Sequence, residues 1–266
     1  MKKYLAVLAV TIKEYFVYRL NFILWRFRVV LNILLPLFLW TAVLDRSGSI
    51  ASYDRSQFVS YLIYGNLIGT FVFGTRTFEI SSDINDGKII NTLLKPVSFF
   101  NYHFAREIAD KLMNVFFAFI EMYIIVSAFK LEIISPQNLI LFILIFINAL
   151  FISYFINLTL SFLGFWTTEI WPIRFIYIML LSFVAGNYFP LDIMPKALYN
   201  FIMLTPFPYM FYLPAKVLIS GSSLNQGING TIGQLLFMSY LWLFGSYFFA
   251  KVTWTKGIKS FSFWGR

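Results

Sequence analysis

The sequence predicts an all-α integral membrane protein, and three observations carry that prediction. First, 59% of its 266 residues are hydrophobic and 21% aromatic, with a mean hydropathy of +0.75, more apolar surface than one water-soluble core can enclose. Second, the apolar residues gather in six long runs, at 29–44, 58–78, 112–129, 139–166, 173–189 and 232–251. Third, the lysines and arginines between the runs fall unevenly when the runs are taken as spans.

Runs of this length read as helices. Hydrocarbon leaves an unpaired backbone group so costly that only helices or closed barrels cross it, and a helix needs about 20 apolar residues to do so. The first run is short unless 20–27 extends it, with Arg26 and Arg28 reaching out to the headgroups. The fourth is long enough to tilt or to run past the membrane surface.

With six spans, sixteen of the 21 basic residues share one side: Lys2, Lys3, Lys13, Arg19, Arg26 and Arg28 before the first span, Arg76, Lys88, Lys95, Arg106 and Lys111 after the second, Arg174, and Lys251, Lys256, Lys259 and Arg266 at the end. Arg46, Arg55, Lys130, Lys196 and Lys216 occupy the other. The positive-inside rule makes the richer side, and both termini, cytoplasmic. The formal charge of +9 is therefore a topology signal, and nucleic acid is not an expected partner. The basic start MKKYLAVLAVTIKEYF lacks a cleavage site and reads as retained.

Three segments do not read as spans. In the first, Tyr4, Leu5, Leu8, Ile12, Tyr15 and Phe16 recur at helical spacing with Lys2, Lys3, Lys13 and Glu14 off the stripe, which predicts a helix lying in the interface. In the second, 86–98, DGKIINTLLKPVS, Asp86 is placed to cap a helix that carries Ile89, Ile90, Leu93 and Leu94 on one face and stops at Lys95-Pro96. Burying those four side chains is worth on the order of 6 kcal/mol before ordering costs, enough to dock on another protein or to pack beneath this chain's own spans. In the third, 190–230, five prolines divide the apolar pieces 197–204 and 210–219, each too short to cross. These predict a re-entrant pair in the outer leaflet, capped by the polar run GSSLNQGINGT.

Few residues can carry chemistry. There is no cysteine, the single histidine, His103, reads as a surface residue, and neither a phosphate loop nor a His-Glu-x-x-His or Gly-x-Ser-x-Gly motif occurs. Glu121 lies in a span, where a carboxylate serves a transport path or gate, or is held by a structural hydrogen bond to Asn148 or Asn157. Gly65 and Gly69, with Gly74 beyond them, allow close helix approach, either at a dimer seam or in internal packing. Arg76 and Glu79 form an i, i+3 pair, and Glu169 is expected near Arg174. Tryptophans such as Trp25, Trp166, Trp171 and Trp254 fit headgroup belts. A secondary transporter or channel not coupled to ATP remains the alternative class, although it would favour several intramembrane charges and an inverted repeat.

The order of these parts, with LLKPVS, FWTTEIWP, GNYFPLDIMP and LTPFPYMFYLPAKVLISG, resembles the type-2 ATP-binding-cassette (ABC) transporter permeases, in particular the small six-span subfamily often encoded as paired permeases with one ATPase. The resemblance covers the whole chain. It implies one transmembrane domain, 1–266, with 1–28 as interfacial helix and N-tail, 79–110 as a cytoplasmic coupling loop and 190–230 as the re-entrant segment. It also implies an exporter in the cell membrane that works with a second permease, identical or different, and two copies of an ABC ATPase. ATP and magnesium would sit on that ATPase, and this chain would bind no cofactor. The coupling positions carried over are Gly87, Lys88, Leu93, Leu94, Lys95 and Pro96, alongside the apolar Ile89 and Ile90; the acidic stretch Asp83-Ile84-Asn85-Asp86 departs from the family pattern.

Overall fold

A computed structural model describes residues 2–73, 75–220 and 231–261. Gly74, all but the last residue of the polar run GSSLNQGINGT, and Arg266 lie outside the described residues. The described chain is helical, with no sheet; a lone antiparallel bridge between Ile50 and Tyr53 tightens one loop.

The N-terminal helix α1 (Lys2–Val17) is separate from α2 (Arg19–Ser47), the chain breaking at Tyr18, whose φ of −98° and ψ of 45° are not helical. Helix α1 packs along α6 (Phe99–Phe129) and buries Thr11 there. Leu5 and Phe16, expected on one stripe with Tyr4 and Tyr15, instead face outward. The helix thus presents apolar surface on two sides: one against α6 and one left uncovered.

The run 58–78 is broken in two. Helix α3 (Arg55–Val72) starts at a capping box, in which the Gln57 backbone N–H donates to Asp54 at 2.7 Å and the Asp54 N–H donates to the Gln57 side chain at 3.1 Å. It ends before a turn at 75–77, tied by the Thr75 and Thr77 hydroxyls 3.0 Å apart, and α4 (Phe78–Asn85) follows. Helix α5 (Ile89–Leu93) comes next. Helix α6 begins well before the predicted start of the third span, at Phe99.

Among the described residues, four helices are long and apolar enough to cross a membrane: α2, α6, α7 (Leu139–Phe162, extended by a 3₁₀ turn to Phe165) and α12 (Ile232–Ser260). Of the expected six, α3 and the 14-residue α8 (Trp171–Val184) fall outside that set. Helix α3 is enclosed by protein instead, with ten of its 18 residues buried. Two of its polar side chains find protein partners in one backbone unit: the Ser60 hydroxyl accepts the Ile134 N–H at 2.8 Å, and the Tyr64 hydroxyl donates to the Ile134 carbonyl at 2.5 Å.

The proline-rich segment folds into α9 (Lys196–Met203), α10 (Phe207–Met210) and α11 (Tyr212–Ile219). All eight residues of α11 are buried, so it is part of the core against α3 and α7. Gly65 and Gly69 permit this approach: a Cβ at Gly65 would come 2.8 Å from Phe211 Cζ, and one at Gly69 3.2 Å from the same ring. These glycines therefore face this chain's own aromatic side chain.

A second cluster gathers Ile80, Ile84, Ile89, Phe99, Phe162 and Phe165 with Trp254. Phe99 and Trp254 stack at 4.5 Å. This cluster seats α4 and α5 on the ends of α6, α7 and α12.

Candidate functional site

Helix α5 is where the sequence expectation and the structure meet most informatively. Gly87 has a φ of +71°, a conformation that glycine adopts without strain, so the chain can turn sharply out of α4. Asp86 does not cap α5. Its backbone closes α4, and its carboxylate lies 2.7 Å from Lys88 Nζ, holding that ammonium's pKa above the ordinary lysine value. The start of α5 has no side-chain cap, and the helix is only five residues long.

The four apolar residues do not share a face. Ile89 is 1% exposed in the second cluster and Ile90 is half-buried, whereas Leu93 is 40% and Leu94 79% exposed. A five-residue helix makes little more than one turn, so the tight bend at Gly87 decides which residues turn inward. Ile89 and Thr92 hold α5 to the bundle, leaving Leu93 and Leu94, with Lys95 and Pro96, on the surface. Lys3 Nζ donates to the Pro96 carbonyl at 2.7 Å, and the Ser98 N–H donates to the Tyr4 hydroxyl at 3.3 Å. The start of α1 thereby straps the loop that follows α5.

A network of charges joins α1, the α3–α4 turn, α4 and α6. Arg76 pairs with Glu14 and lies 3.7 Å from Glu79 and 3.6 Å from Asp110. Arg106 reaches Glu79 at 2.8 Å and Glu14 at 3.2 Å. The expected Arg76–Glu79 pair thus exists as one edge of a larger array joining α1, α4 and α6. Glu107 accepts the Arg76 N–H at 2.9 Å and pairs with Lys111 at 3.2 Å. Tyr15 donates to Asp110, which also accepts from Asn114 at 2.9 Å. Burial pushes the Glu79 carboxyl pKa up, partly opposed by Arg106 and Arg76.

Farther along α6, Glu121 forms a bidentate pair with Arg26 of α2, with Arg26 Nε 2.6 Å from one carboxylate oxygen. Both side chains are largely buried. This corrects two expectations: Arg26 does not extend to the headgroups, and the partner of Glu121 is neither Asn148 nor Asn157. A buried carboxylate needs a countercharge more than a neutral amide, and Arg26 provides one. His103 is also corrected, being buried against Phe99 with ring centroids 4.5 Å apart. Glu107, Asp110 and Asn114, which the sequence reading passes over, have a signal in their register with His103 and Glu121. His103, Glu107, Asp110, Asn114 and Glu121 follow one another at spacings of four, three, four and seven, which is one face of α6.

At the far end of α3 lies a second buried ionic group that the sequence did not announce. Lys216 of α11 donates to Asp192 at 2.8 Å and to the Tyr53 hydroxyl at 2.6 Å, and Tyr53 donates to Asp192 at 2.9 Å. The lysine and aspartate side chains are 6% and 8% exposed. Burial, reinforced by the Asp192 carboxylate, pushes the Tyr53 hydroxyl pKa far above the tyrosine range, so it stays a donor. Three residues spread over 163 positions meet here, and no spacing rule links them.

Arg174 also departs from expectation. It is buried rather than paired with Glu169, which is exposed, and it lies beneath the Phe78 ring with its guanidinium 5.0 Å from the centroid. It donates to the Ser161 hydroxyl and, at 3.4 Å, to the Asn157 carbonyl.

The arrangement is that of a multi-pass helical membrane protein with a small surface element carried between two helices. The family model described as an ABC-2 family transporter protein matches residues 30–265, and the chain belongs to that family. Among curated proteins no significant match is found. Membership makes the chain a membrane permease of an ABC transporter, a class that works with an ABC ATPase.

Proposed function

We propose that the chain is the permease subunit of an ATP-driven exporter and receives work from a separate ATPase through α5. The observation that carries this reading is the division of α5: Ile89 is anchored at 1% exposure while Leu94, five residues on, is 79% exposed. Covering Leu93 and Leu94 with a partner is worth about 1.5–3 kcal/mol for each leucine once fully buried. Because α5 hangs between α4, which follows α3, and α6, a partner that grips it and closes on ATP moves α3, through α4, and α6 as levers. In this reading α2, α3, α6, α7, α8 and α12 are the six crossings, both ends face the cytoplasm, and the chain sits in the cell membrane. Helix α3 crosses wrapped in protein and so needs less apolar surface than a lipid-facing span. A second permease and two ATPase subunits complete the transporter.

The test is co-purification. Leu93→Asp with Leu94→Asp is expected to abolish recovery of the ATPase while the permease inserts and unfolds as the wild type does. Recovery at the wild-type yield would refute the docking assignment.

A further inference from the structure

Among the described residues, three cationic side chains, Arg26, Arg174 and Lys216, are buried among the helices, and their surroundings differ. Arg26 is neutralised by Glu121 and Lys216 by Asp192. Arg174, 4% exposed, has neither kind of partner. All 12 acidic side chains of the chain lie within the described residues, and none forms an ion pair with Arg174, since the described pairs engage Arg26, Arg55, Arg76, Lys88, Arg106, Lys111 and Lys216. Glu107, whose field reaches it, is already committed to Lys111, the Arg76 N–H and the Thr75 hydroxyl.

The hydrogen bonds to Ser161 and the Asn157 carbonyl seat the guanidinium near the C-terminal end of α7, where the helix dipole is weakly negative. They leave its charge unneutralised, and Nε is buried without a hydrogen-bond partner. One turn further along α8, the Tyr177 hydroxyl is likewise buried without a partner. A buried arginine without a countercharge is costly, and two donors on adjacent turns, Arg174 Nε and the Tyr177 hydroxyl, are without partners. One ring, that of Phe78, lies over the guanidinium, and Phe78 is the first residue of α4, the helix that leads into α5.

We infer that Arg174, with Tyr177, is the binding site for an anionic group, a phosphate or carboxylate monoanion, on the molecule this protein moves. The inference deepens the exporter reading and rests on it. The Phe78 ring over the guanidinium suits an anion attached to an apolar body, such as a lipid, although a free anion has the same recognition chemistry.

The experiment uses the purified permease without ATPase, in phosphatidylcholine nanodiscs, so that failure of docking at α5 does not influence it. Phosphatidylglycerol is titrated in and its retention read by native mass spectrometry, with inorganic phosphate as competitor. Wild type is expected to retain phosphatidylglycerol over phosphatidylcholine, and Arg174→Gln to weaken that retention at least about tenfold. Tyr177→Phe, which removes one oxygen and keeps the ring, is expected to weaken it about fivefold. Competition by millimolar phosphate assigns the site to free anions; retention that phosphate does not disturb assigns it to a headgroup. Should Arg174→Gln fail to fold, Tyr177→Phe decides. Equal retention in the wild type and every folded variant, or no preference for the anionic lipid and no phosphate binding in wild type, overturns the proposal. If ATPase recovery is lost with the Leu93 and Leu94 changes while anion retention is unaltered by Arg174→Gln, the coupling reading stands and the anion site does not.

Discussion

Helices α5 and α11 make the instructive comparison. Both are short, both follow a sharp turn, and neither can cross a bilayer alone. Yet all eight residues of α11 are buried, and its lysine is neutralised inside the protein, whereas α5 leaves two leucines in the open beside Lys95 and Pro96. The difference lies in what each packs against. Gly65 and Gly69 remove the side chains that would hold Phe211 and α11 away from α3, so that end of the bundle closes on itself. The other end is fixed by Ile89, with Ile90 partly buried beside it, and the surface around Leu93 and Leu94 is free for a partner.

The largest effect should come from opening the closed end. Asp192→Ala leaves Lys216 buried without its countercharge and is expected to lower stability by about 3–5 kcal/mol, read as a fall in the unfolding midpoint of the detergent-purified protein. A change confined to surface substitutions' usual range would mean that the lysine reaches water.

Next comes the joint itself. Gly65→Ala places a methyl 2.8 Å from Phe211 Cζ and is expected to cost about 1–3 kcal/mol by overpacking. Phe211→Leu in the same chain should recover part of that loss. If the double variant is no more stable than Gly65→Ala alone, the glycine serves some contact other than Phe211.

These two sites differ in how far the sequence revealed them. The glycine pair was visible as a spacing, although its partner was not, because Phe211 lies 146 residues from Gly65 and belongs to a segment whose prolines hide any period. The Tyr53–Asp192–Lys216 group left no local trace at all, since each member sits in a different loop or short helix. Hydropathy located all four long spans but drew one run through 58–78, where the polar stretch Thr75–Arg76–Thr77 breaks the helix. Within α5, periodicity counted Ile89, Ile90, Leu93 and Leu94 as one face; only the turn at Gly87 and the pocket beneath Ile89 decide which of them turn outward. Arg26 and Glu121 were each noticed alone, and 95 residues separate them.

A smaller effect is expected at the start of α3. Asp54→Ala removes one half of a capping box on a helix already held by its neighbours and should cost about 0.5–2 kcal/mol. A value at the upper end would indicate that α3 depends on its own start as well as on packing.

Smallest of all on stability is the open end. Leu94→Asp changes a side chain with few protein neighbours, so stability should stay within about 0.5 kcal/mol of wild type, as read from the same unfolding curve. A loss of several kcal/mol would show that Leu94 packs inside the protein, and the contrast between the two ends would disappear.

The chain has no cysteine, so Leu94→Cys supplies a unique label on the proposed docking surface. A membrane-impermeant maleimide should leave this residue unmodified in intact cells, modify it quickly in permeabilised cells that lack the ATPase, and modify it slowly when the ATPase is present. Labelling in intact cells, or labelling that the ATPase does nothing to slow, would contradict the claim that force enters this protein through α5.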